Sequence, residues 1–281
     1  MSDTSDQETT GVRPAPTPVF PRGATRAFEI RVVAVWATLL VLFVLFFLGF
    51  DLKFSFILER FPALAGLRLT KDGFIQGAAL TLFVCLFSII ASIALGLLSA
   101  LGRLSQSAVL YGISTFYTSF FRGTPLLVQI FLIYLGLPQL GPVPDAIPAG
   151  IIALSLNYGA YLSEIFRAGI MSVPLGQREA GASLGLPNWV VFWTIVLPQA
   201  TRVVIPPTGS QFIAMLKDSS LISVMGVWEI MFLAQSFGRS SYRYIEMLTT
   251  AATIYWILSI CFEIIQSRLE VKFGKGYAKA R

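Results

Sequence analysis

Lys217, Asp218, Ser219 and Ser220 set a cation, an anion and two hydroxyls within about one helical turn, in a stretch, "MLKDSSLISVMGVWEI", that is otherwise apolar. Thr208 and Gln211 lie a little earlier in the same run, where Pro206-Pro207 should loosen a helix. Ionisable groups in an apolar span are costly, so they mark either a polar route or a structural pairing with a neighbouring helix. A cation beside an anion suits the carboxylate and ammonium of a zwitterion, and a loosened helix also offers backbone dipoles to charged ligands. Adjacent helical residues point about 100° apart, so Lys217 and Asp218 cannot fully satisfy one another. The residues alone leave both readings open.

A second constellation lies between residues 172 and 200. In "PLGQREAGASLG" a short helix can start after Pro174, carrying Glu179 and Ala182 on one face among the small residues Ala180, Gly181 and Ser183. Gly185 can terminate that helix, and Pro187 can begin a second one at its first position. The expected result is a compact helix-turn-helix whose small residues admit another protein's groove and whose Glu179 gives one directional charged contact. Trp189, Phe192 and Trp193 follow it.

These groups need a scaffold, and the composition says which. Of 281 residues 55% are hydrophobic and only 13% charged, with mean hydropathy +0.73, which places the chain in a membrane. About 20 apolar residues cross the hydrocarbon, and six stretches qualify: Val32 to Phe50, Gly73 to Gly102, Gly123 to Pro144, Ala146 to about Arg167, Val203 to Trp228, and Glu246 to Gln266. The fold class expected is an all-α, polytopic transmembrane helix bundle of six spans. Residues 1–31 read as a disordered cytoplasmic tail and residues 268–281 as a basic one. Between Arg103 and Arg122, "LSQSAVLYGISTFYTSFF" is either the start of the next helix or an amphipathic segment along the inner interface. Glu164 and Arg167, three apart, can pair on one helix face, while Arg122, Gly123, Thr124 and Pro125 form a helix start.

The net charge of +6 reflects topology rather than nucleic-acid binding. With a cytoplasmic N-terminus, the inner segments collect most of the Arg and Lys, whereas the loop at residues 138–145 has none. The 172–200 loop is then cytoplasmic. There is no histidine, and Cys85 and Cys261 both lie in apolar segments, so neither a metal site nor a disulfide framework is expected. No phosphate-loop glycine pattern occurs, so the chain holds no nucleotide site of its own. Catalytic residues, metals and cofactors are expected to be none.

The loop resembles the cytoplasmic pattern of the inner-membrane permeases of ATP-binding-cassette (ABC) importers: Glu-Ala-Ala, three residues, Gly, nine residues, Ile, one residue, Leu-Pro. Glu179, Ala180, Gly181, Gly185, Ile195, Leu197 and Pro198 meet every spacing. Only Gly181 departs, standing where the pattern has Ala and softening the helix by about 1 kcal/mol. "FFRGTPLLVQIFLIYLGLP" from Phe120 and "AYLSEIFRAGI" from Ala160, with the Met215 stretch, resemble the polar amino-acid branch. The resemblance covers roughly Gly73 to Ser267, a core (73–267) that in this branch commonly has five spans, so the helix over residues 32–50 is an addition.

That resemblance implies a permease subunit for polar amino acids or close derivatives in the bacterial inner membrane. It implies two ABC ATPase subunits, a second permease, identical or homologous, and a periplasmic solute-binding protein, with membrane lipid around it and no nucleic acid. Glu179 and its neighbours would couple to the ATPase. Thr208, Gln211, Lys217, Asp218, Ser219 and Ser220 would line the translocation pathway. The competing class is an ion-gradient-driven carrier of small zwitterions, which would also place charges inside a span, although the internal repeats usual in such carriers are not evident here.

Overall fold

The computed structural model describes residues 26–50 and 52–273; the rest of the expected tails lies outside the described residues. Contacts divide the chain into one unit ending at Leu52 and another beginning at Lys53. The first holds α1 (Arg26–Leu48), apolar around its whole circumference from Val32 onward. Arg26 to Arg31, expected in the tail, belong to this helix.

The second unit runs α2 (Phe54–Leu64), α3 (Gly77–Leu104), α4 (Ala108–Gly123), α5 (Leu126–Phe131), α6 (Ala146–Met171), α7 (Leu175–Ser183), α8 (Asn188–Val191), α9 (Leu197–Asp218), α10 (Ile230–Ser241) and α11 (Tyr244–Phe273). Arg268 to Phe273, expected as tail, continue α11. A π turn, Leu132–Gly136, and a 3-10 turn, Leu137–Leu140, extend α5. Another π turn, Phe192–Val196, joins α8 to α9, and a 3-10 turn, Ser219–Met225, follows α9.

Among the described residues, four helices are long and apolar enough to cross a membrane: Gly77–Leu104, Ala146–Met171, Asn188–Met225 and Tyr244–Glu270. The pair Ala108–Gly123 and Leu126–Leu140, bent by 109°, makes a fifth if it is one span. The sixth stretch expected from the sequence corresponds to α1, whose apolar part, Ile30–Phe46, is shorter than the others.

Small residues let α3 and α6 meet at backbone distance, the usual device where lipid gives helices no hydrophobic reason to associate. A Cβ on Gly96 would stand 2.8 Å from Leu162 Cβ, and one on Gly102 would stand 2.1 Å from Ser114 Oγ of α4. Hydroxyls join the same two helices: Ser92 donates to the Ser155 carbonyl at 3.3 Å and Ser163 to Ser99 Oγ at 2.9 Å. Val84, Leu154, Tyr158, Leu162, Met215 and Leu216 complete the buried centre shared with α9.

The segment between Arg103 and Arg122 resolves as a helix of its own, α4. It buries Ser114 and Thr118 and turns Val109, Ile113 and Phe116 outward. Its end is set by Pro125: the residue before a proline is driven extended, and Thr124 has φ −118° and ψ 147°. Carbonyls freed by that break are capped by side-chain amides. Gln129 Nε2 donates to Phe121 O (2.9 Å) and Thr124 O (3.1 Å); Asn157 Nδ2 donates to Phe121 O (3.1 Å) and to Gln129 Oε1 (3.0 Å). Both amides are buried.

Glu229, fully buried, caps α10 by accepting from the Met231 and Phe232 amides at 2.9 and 2.7 Å, and it accepts from Tyr255 Oη at 2.6 Å. Burial pushes its carboxyl up to about 7, against the opposing effect of those hydrogen bonds.

Gln129→Leu keeps the volume but leaves Thr124 O without its amide donor. It is expected to cost about 1–3 kcal/mol, read as a lower melting temperature in detergent, whereas an exposed control, Val109→Ala, leaves the melting temperature near wild type.

Candidate functional site

The 172–200 loop projects from the C-terminal end of α6. Arg178 on α7 donates to the Ile170 carbonyl at 2.7 Å, tying the loop to the end of that helix, where carbonyls lack intrahelical donors. α7 begins after Pro174, as its sequence suggests. Gly185 follows α7 with φ +73°. Its amide donates to Ala182 O at 2.9 Å and the Leu186 amide to Gly181 O at 3.2 Å, a Schellman closure. Pro187 sits one residue before α8 rather than inside it.

Gly181 is buried against the second arm. A Cβ there would stand 2.8 Å from Val191 Cγ2 and 3.0 Å from Ile195 Cδ1, so glycine in place of alanine fits a closer approach. Ile195 packs with Ile170, Val173, Val191, Val196 and Ala200, and Leu197 and Pro198 open α9. Glu179 and Ala180 are exposed, and the Glu179 carboxylate has no ion pair among the described residues. Leu175, Leu184, Trp189 and Trp193, in the same 172–200 segment, are 58–79% exposed. Leu175 and Leu184 are exposed on the polar part of the loop, whereas Trp189 and Trp193 fall at the start of the candidate span Asn188–Met225; exposed apolar groups of this kind mark protein or membrane contacts.

The expected pair between Glu164 and Arg167 forms, and the same carboxylate meets Arg103 at 2.5 Å and Arg122 at 3.8 Å. Arg122 also lies over the Tyr161 ring. α3, α4 and α6 are thereby held at one carboxylate.

In the second constellation, Asp218 accepts from Tyr158 Oη at 2.7 Å. Lys217 is exposed and has no ion pair among the described residues. Ser219 is buried and donates to Leu216 O, while Ser220 and Gln211 are half-buried. The helix does not give way at Pro206-Pro207, which lie inside α9; Gln266 of α11 donates to the Pro206 carbonyl at 3.1 Å. The change of geometry comes at Ser219, where α9 tightens into the 3-10 turn that Gly226 ends with φ +81°. Thr208 is not brought to Lys217. It lies about 13 Å earlier along the helix, donates to Val204 O, and lines an apolar cavity of about 390 Å³ with Phe166, Phe212 and Phe262.

The polar neighbour of this stretch was missed. Glu263, Gln266, Ser267 and Glu270 of α11 line a cavity of about 290 Å³ together with Ser210 of α9. Gln266 reaches Ser210 Oγ and Glu270 Oε1. Their spacing puts polar residues on one face of an apolar helix, a signal that span counting discards.

A family model for the binding-protein-dependent transport system inner membrane component matches residues 92–275. Over 229 residues the chain is 40% identical to the probable amino-acid permease protein YxeN of Bacillus subtilis, covering 80% of this chain and 98% of that one. Over 204 residues it is 40% identical to the L-cystine transport system permease protein TcyB of the same organism, covering 72% and 87%. The crystal structure of an amino acid ABC transporter with histidines aligns with TM-score 0.71 at 33% identity, covering 79% of this chain and 100% of that one.

Gly185→Val forces a β-branched residue into the left-handed region, at a cost of at least about 1–2 kcal/mol. Proteolytic nicking between residues 184 and 188 is expected to speed up several-fold with the melting temperature of the spans little changed; unchanged nicking would show that the turn does not depend on Gly185.

Proposed function

The chain belongs to the family of binding-protein-dependent transport system inner membrane components, and on that premise we propose that it is the permease subunit of an ABC importer carrying polar amino acids or close derivatives. Members of this family act with an ATPase and a solute-binding protein. The chain is therefore a multi-pass membrane component of a transporter, and the gradient-driven alternative is set aside.

The observation that carries the reading is α7: a short helix, anchored by Arg178 and closed at Gly185, that exposes Glu179 together with Leu175 at its start and Leu184 just after its end. In the proposed arrangement α7 docks in a cleft of the ATPase, and Glu179 accepts a hydrogen bond or pairs with a basic residue there. Ala180, Gly181, Gly185, Ile195, Leu197 and Pro198 shape the helix and its angle. ATP hydrolysis on the partner moves α7, and the spans follow.

The pathway is assigned to the α9 face and the turn after it: Gln211, Lys217, Asp218, Ser219 and Ser220, with Thr208 further in. An exposed Lys217 with no ion pair among the described residues and an Asp218 held by one tyrosine leave charge available to a zwitterion. Glu263 and Glu270 add carboxylates along the same helix pair. The core over residues 73–267 carries this machinery, with the helix over residues 32–50 an addition. Two ATPase copies and a second permease complete the assembly, in an inner membrane with both termini in the cytoplasm. The 40% identity to a cystine permease and the alignment to an amino acid transporter with histidines support the amino-acid class.

Purifying the tagged permease from detergent with its co-expressed ATPase tests this directly. Wild type is expected to retain the ATPase, and Glu179→Lys to lose most of it at unchanged melting temperature. Equal retention by the two would remove Glu179 from the contact, and no ATPase with either would overturn the reading.

A further inference from the structure

At the end of the bundle opposite α7, a cavity of about 580 Å³ opens between the 70–75 turn, the start of α6 and the 226–228 segment. Its wall carries two exposed carboxylates, Asp72 and Asp145, and two exposed aromatic rings, Phe74 and Trp228. Neither aspartate has an ion pair among the described residues, although Arg68 and Lys71 are on the same loop. Asp145 also precedes α6 without using its side chain as a cap.

The wall is held in place by backbone. Thr70 and Phe74 exchange N–H to O bonds across a tight turn, the Thr70 N to Phe74 O at 2.8 Å and the Phe74 N to Thr70 Oγ1 at 2.9 Å. The Gly77 amide donates to Trp228 O at 2.8 Å, joining the loop to the 226–228 segment. Gly77 has φ +59°, and a Cβ there would stand 2.3 Å from Ala63 O, so glycine is required for this junction. Gln76 Nε2 reaches Arg68 O at 3.2 Å. The flanking segments expose Leu67, Leu69 and Val143, 60–76% accessible and outside the candidate spans, and Leu140, 81% accessible, at the end of the bent pair.

We propose that this pocket receives a basic side chain, Arg or Lys, presented by the solute-binding protein as it docks. The proposal rests on the importer reading. Two carboxylates without partners complement a cation, and an aromatic face beside them adds a cation–π contact, which a guanidinium exploits best. Exposed apolar residues on the flanking segments, Leu67, Leu69 and Val143, offer further contact surface to a docking protein. An anionic lipid headgroup would be repelled by the same carboxylates.

The test uses the complete importer in proteoliposomes, permease and ATPase together, with ATP hydrolysis followed against the concentration of its solute-binding protein. Asp72→Asn with Asp145→Asn is expected to raise the half-saturating concentration about tenfold and to flatten its dependence on salt. Maximal rate and hydrolysis without the binding protein stay unchanged. Trp228→Leu, which leaves the charges in place, should raise the half-saturating concentration by a smaller factor and serves if the double variant fails to fold. A half-saturating concentration equal to wild type in a folded variant overturns the pocket assignment alone. So does a change confined to the KM for the transported solute, which would make the pocket a cargo site. A wild-type complex whose hydrolysis does not respond to the binding protein overturns the importer reading and the docking proposal with it.

Discussion

Hydrocarbon supplies no hydrogen bonds, so every polar group freed inside the bundle must be answered from within the chain. The break at Thr124-Pro125 is the clearest case. It releases carbonyls of α4, and the Gln129 and Asn157 amides close on them. The diproline in α9 is met from α11 by Gln266, and Asp218 is met from α6 by Tyr158. The Gln129 closure is local, but those of Asn157, Gln266 and Tyr158 join elements far apart in the chain, so the bent and softened helices are tied into one packing.

That body is what a moving loop would need. Near the α7 end, Arg103, Arg122 and Arg167 converge on Glu164, so α3, α4 and α6 share one ionic anchor. Arg178 then ties α7 to the last carbonyls of α6, and the Ile170, Val173, Val191 cluster carries the contact on to α9. In the proposed arrangement, a displacement applied at Glu179 would pass through these contacts toward α9, the helix bearing Lys217 and Asp218. Partly buried charge pairs of this kind contribute little net stability; here they fix relative position.

Local features were legible in the sequence. The extent of α7 between Pro174 and Gly185 and the Glu164–Arg167 pair follow from capping and spacing rules acting over a few residues, and the start of α6 at Ala146 from the Pro/Gly-rich turn before it. Direction was not. Hydropathy measures length, so the 109° bend after α4 is not expressed in it, although Arg122 to Pro125 mark a helix start there. The short helices α2 and α10 are absent from the six-span reading, because their stability comes from packing on α11 rather than from length: Ile230, Leu233 and Ala234 cluster with Met247 and Ala251. Glu229 gives no local sign of its role, since Tyr255 reaches it from 26 residues away. The diproline, expected to open the helix, is absorbed because Gln266 lies opposite it.

The measurement that bears most directly on the account is uptake of a radiolabelled amino acid by proteoliposomes holding the permease, its ATPase and its solute-binding protein, with ion gradients collapsed by ionophores. An ATP-driven importer gives uptake that requires ATP on the ATPase side and persists without any gradient. Uptake that continues after ATP is removed and follows an imposed ion gradient would contradict it.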